Sequence, residues 1–87
     1  MSYRVIIHPD LAPAFRKLRA KSPERYEHLK KKITFLVENP ESGKPVNAPR
    51  KGQWRTHIGH FVLIYEIDQK ENTIVLLQFD HHDQVYN

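Results

Sequence analysis

The first half of the chain combines one short apolar strand with two stretches of helical periodicity. Residues 3–8 are rich in β-branched side chains and are followed by proline, a pattern that predicts a strand. Apolar residues then recur at helical spacing over 11–18 and again over 26–37, where Pro40 ends the stripe. Asp10 is expected to cap the first helix. The sequence therefore predicts a strand followed by two helices.

The second half of the chain changes to a period of two. Residues 41–52 hold prolines, glycines and few apolar side chains, which predicts a loop. Strands are predicted over 54–58 and 61–67, joined by a two-residue turn that begins at Gly59. Residues 73–79 are apolar on both faces, which is typical of a central strand. The predicted order is β-α-α-β-β-β, an α+β fold with two N-terminal helices packed on a four-stranded, mostly antiparallel sheet.

Length and composition narrow the class of protein. The chain has 87 residues, of which 39% are apolar and none is cysteine. This length suits a single domain over residues 1–87. No segment approaches the roughly 18 apolar residues of a membrane span, and the N-terminus lacks the apolar core of a signal peptide. We expect a cytoplasmic domain with no membrane contact, no small-molecule cofactor and no disulfide or thiol chemistry.

Charge is distributed unevenly along the chain. Residues 1–55 hold thirteen Lys or Arg and five Asp or Glu, a net charge of +8, whereas residues 56–87 have a net charge of −4. This asymmetry predicts a basic surface suited to phosphates or to an acidic protein. Alternatively, the lysines only keep the two helices soluble. The run at 30–32 spans nearly a full helical turn, so its members cannot all face one ligand.

Histidines cluster near the end of the chain. Four of the six lie in the last 31 residues: His57, His60, His81 and His82. Histidine is the side chain best suited to proton transfer near neutral pH. Three interpretations stay open. His57, His60 and His82 could ligate a metal together with Asp83, although no recognised zinc spacing is present. They could act as acid and base in RNA cleavage, or they could be surface histidines without a role.

For RNA cleavage, a general acid and a general base are nearly sufficient, because the RNA supplies its own nucleophile, the ribose 2′-OH. The protein must deprotonate that hydroxyl, stabilise the extra charge at phosphorus and protonate the departing 5′ oxygen. His82 and His57 could share the proton transfers, with Arg55 beside the phosphate. Tyr86 could stack on an unpaired base, or it could pin the chain end to the core.

The hairpin and the chain end together resemble the RelE/ParE toxin superfamily. The segments 54–67 and 81–86 carry the resemblance, and the first strand and the helix pair match as well, so that it covers essentially the whole chain. The resemblance implies a prokaryotic type II toxin–antitoxin toxin. It also implies that such a protein cuts mRNA in the ribosomal A site without a metal, and that an antitoxin silences it by covering its basic surface.

Within this superfamily, the histidine-dependent, YafQ-like branch is more similar than the RelE archetype. That branch carries a histidine four residues before a C-terminal aromatic residue, which is the spacing of His82 and Tyr86. It also carries a histidine on the strand where His57 stands. Two positions that are usually basic in the RelE archetype hold Val62 and Asp80 here.

The resemblance leads us to expect defined roles. His82 would be the principal general acid or base, assisted by His57 or His60, while Arg55 stabilises the phosphate and Tyr86 stacks on or orients the substrate. We expect contacts with mRNA or ribosomal RNA from Lys17, Arg19, Lys30, Lys31, Lys32, Arg50, Lys51 and His81. Two alternatives remain: a ParE-like inhibitor that binds DNA gyrase without cutting RNA, and a lapsed member that binds only RNA or antitoxin.

Overall fold

Two helices pack on one face of a mixed β-sheet in the computed structural model, which describes residues 2–46 and 52–82. In chain order the elements are β1 (Arg4–Ile7), α1 (Ala12–Lys21), α2 (Pro23–Glu38), β2 (Lys44–Pro45), β3 (Gln53–Ile58), β4 (Phe61–Asp68) and β5 (Thr73–His81). The strand order is β1-β5-β4-β3-β2, with β1 parallel to β5 and the other pairs antiparallel. The predicted α+β class is confirmed.

The described part of the sheet has five strands rather than the predicted four. The additional strand, β2, lies in the segment that was predicted to be a loop, and its residues Lys44 and Pro45 pair with Arg55 and Trp54 of β3. Proline suits such an edge strand because it has no N–H to donate to a further strand. A strand of two residues is too short to produce an alternating pattern, so periodicity does not reveal it.

A core of aliphatic and aromatic side chains joins the helices to the sheet. Leu29 and Leu36 of α2 are fully buried against β4 and β5 side chains such as Leu63 and Leu76. Burial of each such side chain contributes about 1.5–3 kcal/mol. Because side chains alternate along a strand, fixing Leu63 against the helices directs its neighbour Val62 to the opposite face.

The start of α1 differs from the prediction that Asp10 caps this helix. A 3-10 turn at Pro9–Leu11 precedes α1, and His8 Nδ1 accepts a hydrogen bond of 3.1 Å from the Asp10 backbone N–H. Leu11 then occupies the N-cap position of α1 without a side-chain hydrogen bond. The capping side chain is therefore histidine, and it acts on the short turn rather than on α1.

The predicted hairpin and central strand are both confirmed. Gly59 has φ +60° at the start of the two-residue turn, a conformation that glycine adopts without steric cost, and Ile58 pairs with Phe61 across it. β5 lies between β1 and β4. In the described part of the chain, neither helix combines the length and the apolar character needed to cross a membrane.

Candidate functional site

The four clustered histidines form two pairs at one end of the sheet. The ring centroids of His57 and His82 are 6.2 Å apart, and those of His60 and His81 are 6.1 Å apart. The cross-strand partners of His57 and His81 are Val62 and Phe61, two consecutive residues of β4 that point to opposite faces. The two pairs therefore lie on opposite faces of the sheet.

The first pair lies on the face of the sheet opposite the helices, which we call the open face. His57, Val62 and Asp80 form one cross-strand row on this face. Immediately after β5, the backbone N–H of His82 donates a 2.8 Å hydrogen bond to the carbonyl oxygen of His60 in the hairpin turn. This bond ties the end of β5 to the hairpin and brings the His82 ring beside His57.

Arg55 lies on the same face as His57, two residues earlier along β3. It belongs to a second cross-strand row with Lys44, Ile64 and Gln78. A hollow of about 170 Å³ beside this row is lined by Ser42, Gly43, Lys44, Arg55, Thr56 and His57. Sequence reasoning missed Lys44, since it lies in the segment predicted as a loop. We call this space the β2–β3 hollow.

The turn before β2 is held against the sheet by Tyr65. The Tyr65 hydroxyl donates a 2.8 Å hydrogen bond to the carbonyl oxygen of Pro40. A side chain at Gly43 would collide with this hydroxyl and with the carbonyl oxygen of Arg55. Burial raises the pKa of Tyr65 above its usual 10.0, and the nearby Glu41 carboxylate raises it further, against a backbone hydrogen bond at Gly43 that lowers it. The hydroxyl therefore remains protonated and able to donate at neutral pH.

Acidic and amide side chains also lie on the open face. Asp80, in the row of His57, accepts a 3.3 Å hydrogen bond from the side-chain amide of Gln78. In residues 2–46 and 52–82, no group of three or more histidine, aspartate or glutamate residues could hold a metal ion. Asp83, considered above as a ligand, lies outside the described residues.

The second pair lies on the helix-bearing face and is surrounded by aromatic side chains. The rings of His81 and Phe61 are 5.6 Å apart, and the Arg25 guanidinium lies 5.0 Å from the centroid of Phe61. The structure thus separates His60 and His81 from the pair that faces Arg55. Their expected roles in proton transfer and RNA contact remain predictions.

The helix lysines lie on the opposite side of the sheet from the first histidine pair. Four of the five predicted RNA contacts on the helices are exposed and Lys32 is half-buried, the exposed ones being Lys17, Arg19, Lys30 and Lys31. The amino group of Lys30 already pairs with Glu27 Oε1 at 3.0 Å. These side chains therefore lie away from the first histidine pair, and their expected contacts with RNA remain predictions. Arg50, Lys51 and Tyr86 lie outside the described residues.

Solved structures with this fold include toxins of bacterial and archaeal toxin–antitoxin systems. The sequence model of the ParE toxin of the type II toxin–antitoxin system, parDE, matches residues 5–86. The chain belongs to this family and is a type II toxin of the RelE/ParE superfamily. The superfamily predicted from the hairpin and the chain end is thereby confirmed.

Individual relatives and solved structures agree with this assignment. An uncharacterized protein of Methanosarcina mazei is 35% identical over 97% of this chain and 99% of its own length. A Methanocaldococcus jannaschii protein provisionally named toxin RelE4 is 31% identical over 97% of this chain and 90% of its own. The RelBE2 toxin–antitoxin complex of Mycobacterium tuberculosis superposes with a TM-score of 0.81 at 25% identity, covering 93% of this chain and 99% of that chain. Escherichia coli RelE in the free state has the same fold, with a TM-score of 0.77 at 20% identity over 97% of this chain and 87% of that chain.

Proposed function

We propose that this toxin is a ribosome-dependent mRNA endoribonuclease that cleaves mRNA in the ribosomal A site. The observation that carries the proposal is the His57–His82 pair, whose ring centroids lie 6.2 Å apart on the open face beside Arg55. An acid and a base at this separation can serve both oxygens of one phosphodiester, because the attacking and the departing oxygen are bonded to the same phosphorus.

In the proposed reaction, no metal takes part. One imidazole accepts the proton of the ribose 2′-OH, O2′ bonds to phosphorus, and the bond from phosphorus to O5′ breaks. The other imidazole, protonated, donates its proton to O5′, which leaves a 2′,3′-cyclic phosphate and a 5′-OH. His82 is the principal acid or base, His57 is its partner, and the Arg55 guanidinium stabilises the charge that develops on the phosphate oxygens.

The proposed partners are mRNA, the ribosome and a cognate antitoxin. The structures of M. tuberculosis RelBE2 and of Pyrococcus horikoshii RelE are toxin–antitoxin complexes, which supports an antitoxin partner for this chain. The helix lysines face away from the cleavage site, and this suits a protein that works in a cleft between RNA surfaces, with mRNA on the open face and ribosomal RNA against the helices. The site of action is then the cytoplasm.

Mapping of cleavage sites in cells tests the proposal. We expect induced expression of the wild type in a bacterial host to produce new mRNA 5′ ends in phase with the reading frame. His82→Gln removes the proton transfer and should abolish these ends, while His28→Gln on α2, an exposed histidine far from the pair, should not. In-frame ends that persist in His82→Gln would remove His82 from the mechanism.

A second candidate function is supported by the family model that matches, which is that of ParE. A ParE-like toxin would bind DNA gyrase and would need neither histidine pair, and the exposed, acidic Asp80 on the open face suits a protein-binding toxin better than a nuclease. Growth arrest without mRNA cleavage, together with inhibition of the supercoiling activity of DNA gyrase when the purified toxin is added, would establish this function instead. Neither arrest nor cleavage would indicate a lapsed toxin that binds only RNA or antitoxin.

A further inference from the structure

We infer that the β2–β3 hollow binds a backbone phosphate of single-stranded RNA, and that Lys44 is the cation that, together with Arg55, holds it there. The inference deepens the proposed function, since it concerns the same open face and the same substrate. It concerns a neighbouring phosphate of the RNA rather than the phosphate that is cleaved.

The register of β2 places two cations side by side. Lys44 and Arg55 are direct cross-strand partners, so their side chains leave the sheet on the same face. Directly opposed residues have Cβ atoms about 4.5–5.5 Å apart, and like charges at such positions are destabilising. An anion between the two side chains turns this repulsion into two attractions. The two neighbouring cations therefore create a positive potential at this point of the open face, which attracts an anionic group.

The size of the hollow indicates a small group. Its volume of about 170 Å³ is several times the roughly 30 Å³ that a water molecule occupies in the liquid. It is also smaller than the roughly 300–1,000 Å³ of pockets that enclose a drug-sized molecule. A phosphate fits this space, while the sugar and base attached to it remain outside.

The hollow is built by close packing rather than by exposed loops alone. Gly43 allows the turn to approach the Arg55 backbone, and the buried Tyr65 hydroxyl holds that turn through Pro40. These contacts fix the position of β2 and hence the position of the Lys44 backbone. The ammonium group of Lys44 is a mobile point charge on a fixed base, a combination that suits a phosphate whose exact orientation varies between nucleotides.

The hollow adjoins the proposed cleavage site. His57 lines it and also belongs to the histidine pair. A phosphate in the hollow would therefore be the immediate neighbour of the phosphate between His57 and His82. Lys44 would fix the register of the RNA strand without taking part in proton transfer, so its loss should weaken binding more than it slows the bound reaction.

The experiment that tests this inference measures binding of RNA that cannot be cut. The probe is a single-stranded RNA of about 12 nucleotides with 2′-O-methyl riboses, titrated with the wild type and with Lys44→Met over a range of KCl concentrations. We expect the variant to bind about fivefold more weakly at low salt and the slope of log Kobs against log salt to fall by about 0.7, which corresponds to one phosphate contact.

Control variants separate this contact from general charge. Lys70→Met removes the same charge from the exposed turn between β4 and β5 and should leave the slope unchanged. Lys44→Arg keeps the charge and should retain the affinity. Unchanged affinity and slope in Lys44→Met, or no binding of the RNA by the wild type, would overturn the inference. Polyglutamate is titrated in parallel. If Lys44→Met loses affinity for polyglutamate but not for the RNA, the inference is also overturned, since the hollow would then bind carboxylates of a protein.

Cleavage by the same proteins on programmed ribosomes separates the two proposals. If the wild type does not cut mRNA but Lys44→Met still loses RNA affinity with the expected slope, the phosphate site stands and the proposed nuclease function fails. If the wild type cuts and Lys44→Met binds and cuts equally well, the nuclease function stands and the phosphate site fails.

Discussion

The two histidine pairs have nearly the same spacing but different surroundings. His57 and His82 lie 6.2 Å apart on the open face, next to Arg55, whereas His60 and His81 lie 6.1 Å apart on the other face. Near the second pair lie the Phe61 ring and, above that ring, the Arg25 guanidinium. Spacing alone therefore does not distinguish a candidate acid–base pair from a structural one. The two pairs differ in the groups beside them: Arg55 and Lys44 lie on the strands next to the first pair, whereas an aromatic ring with Arg25 above it lies next to the second.

The largest expected effect is a loss of cleavage on substitution of the first pair; the same loss on substitution of the second pair would contradict the distinction drawn between them. His57→Ala should lower kcat/KM for mRNA cleavage on ribosomes by about 10²–10⁴, the usual contribution of a general acid or base. His60→Ala should change it by less than about tenfold, since its ring lies on the other face. A measured loss that is equal for the two variants would show that the two pairs act together rather than separately.

Tyr65 tests the surroundings of the first histidine pair separately from those of the second, because it holds the turn before β2, which lies next to the first pair only. Tyr65→Phe removes the hydrogen bond to Pro40 and should lower the free energy of unfolding by about 1–2 kcal/mol in denaturant titrations near pH 7. Cleavage should fall only a few-fold, because the imidazoles remain in place. A variant as stable as the wild type would mean that the turn before β2 is held by other contacts.

The same residue predicts a pH dependence of stability. The pKa of Tyr65 is raised in the folded protein above its usual value of 10.0, so the folded state binds this proton more tightly than the unfolded state does. The stabilisation is fully present below pH 10 and is lost as the pH rises through the folded pKa. Thermal unfolding should therefore show a steeper loss of Tm above pH 10 in the wild type than in Tyr65→Phe. Parallel curves would contradict this prediction.

The smallest effect concerns the second pair. Arg25→Ala removes the cation above the Phe61 ring and should cost about 0.5–1 kcal/mol of unfolding free energy. The rate of cleavage of ribosome-bound mRNA should not change, because the histidines of the open face do not contact Arg25. A large loss of cleavage with unchanged stability would instead place the helix-bearing face in contact with the substrate.

Long periodic segments made most of the fold predictable. Both helices and the strands of the hairpin repeat their apolar residues often enough to define a period and a buried face, and β5 is apolar on both faces because it is central. β2 has only two residues, and its position depends on the close approach of Gly43 to β3, which leaves no pattern in the sequence.

The candidate site was predictable only in part. The four clustered histidines and Arg55 were predicted from residue type and order. Which histidine lies beside which depends on the strand order and register, which the sequence does not show. The order of the histidines carries a further signal: His81 and His82 are consecutive, so along a strand only one of them can share a face with His57. Lys44 gave no comparable signal, because the role inferred for it depends on a cross-strand partner, Arg55, that is eleven residues away.

The position of β5 in the middle of the sheet has a consequence for the synthesis of this protein. β1, which the ribosome makes before the other described strands, pairs with β5, the last strand of the described residues. Until β5 has emerged, the sheet cannot close and His82 cannot reach the hairpin. Such long-range pairing folds late, so a toxic surface on this scaffold forms only after β5 and His82 have left the ribosome that made them.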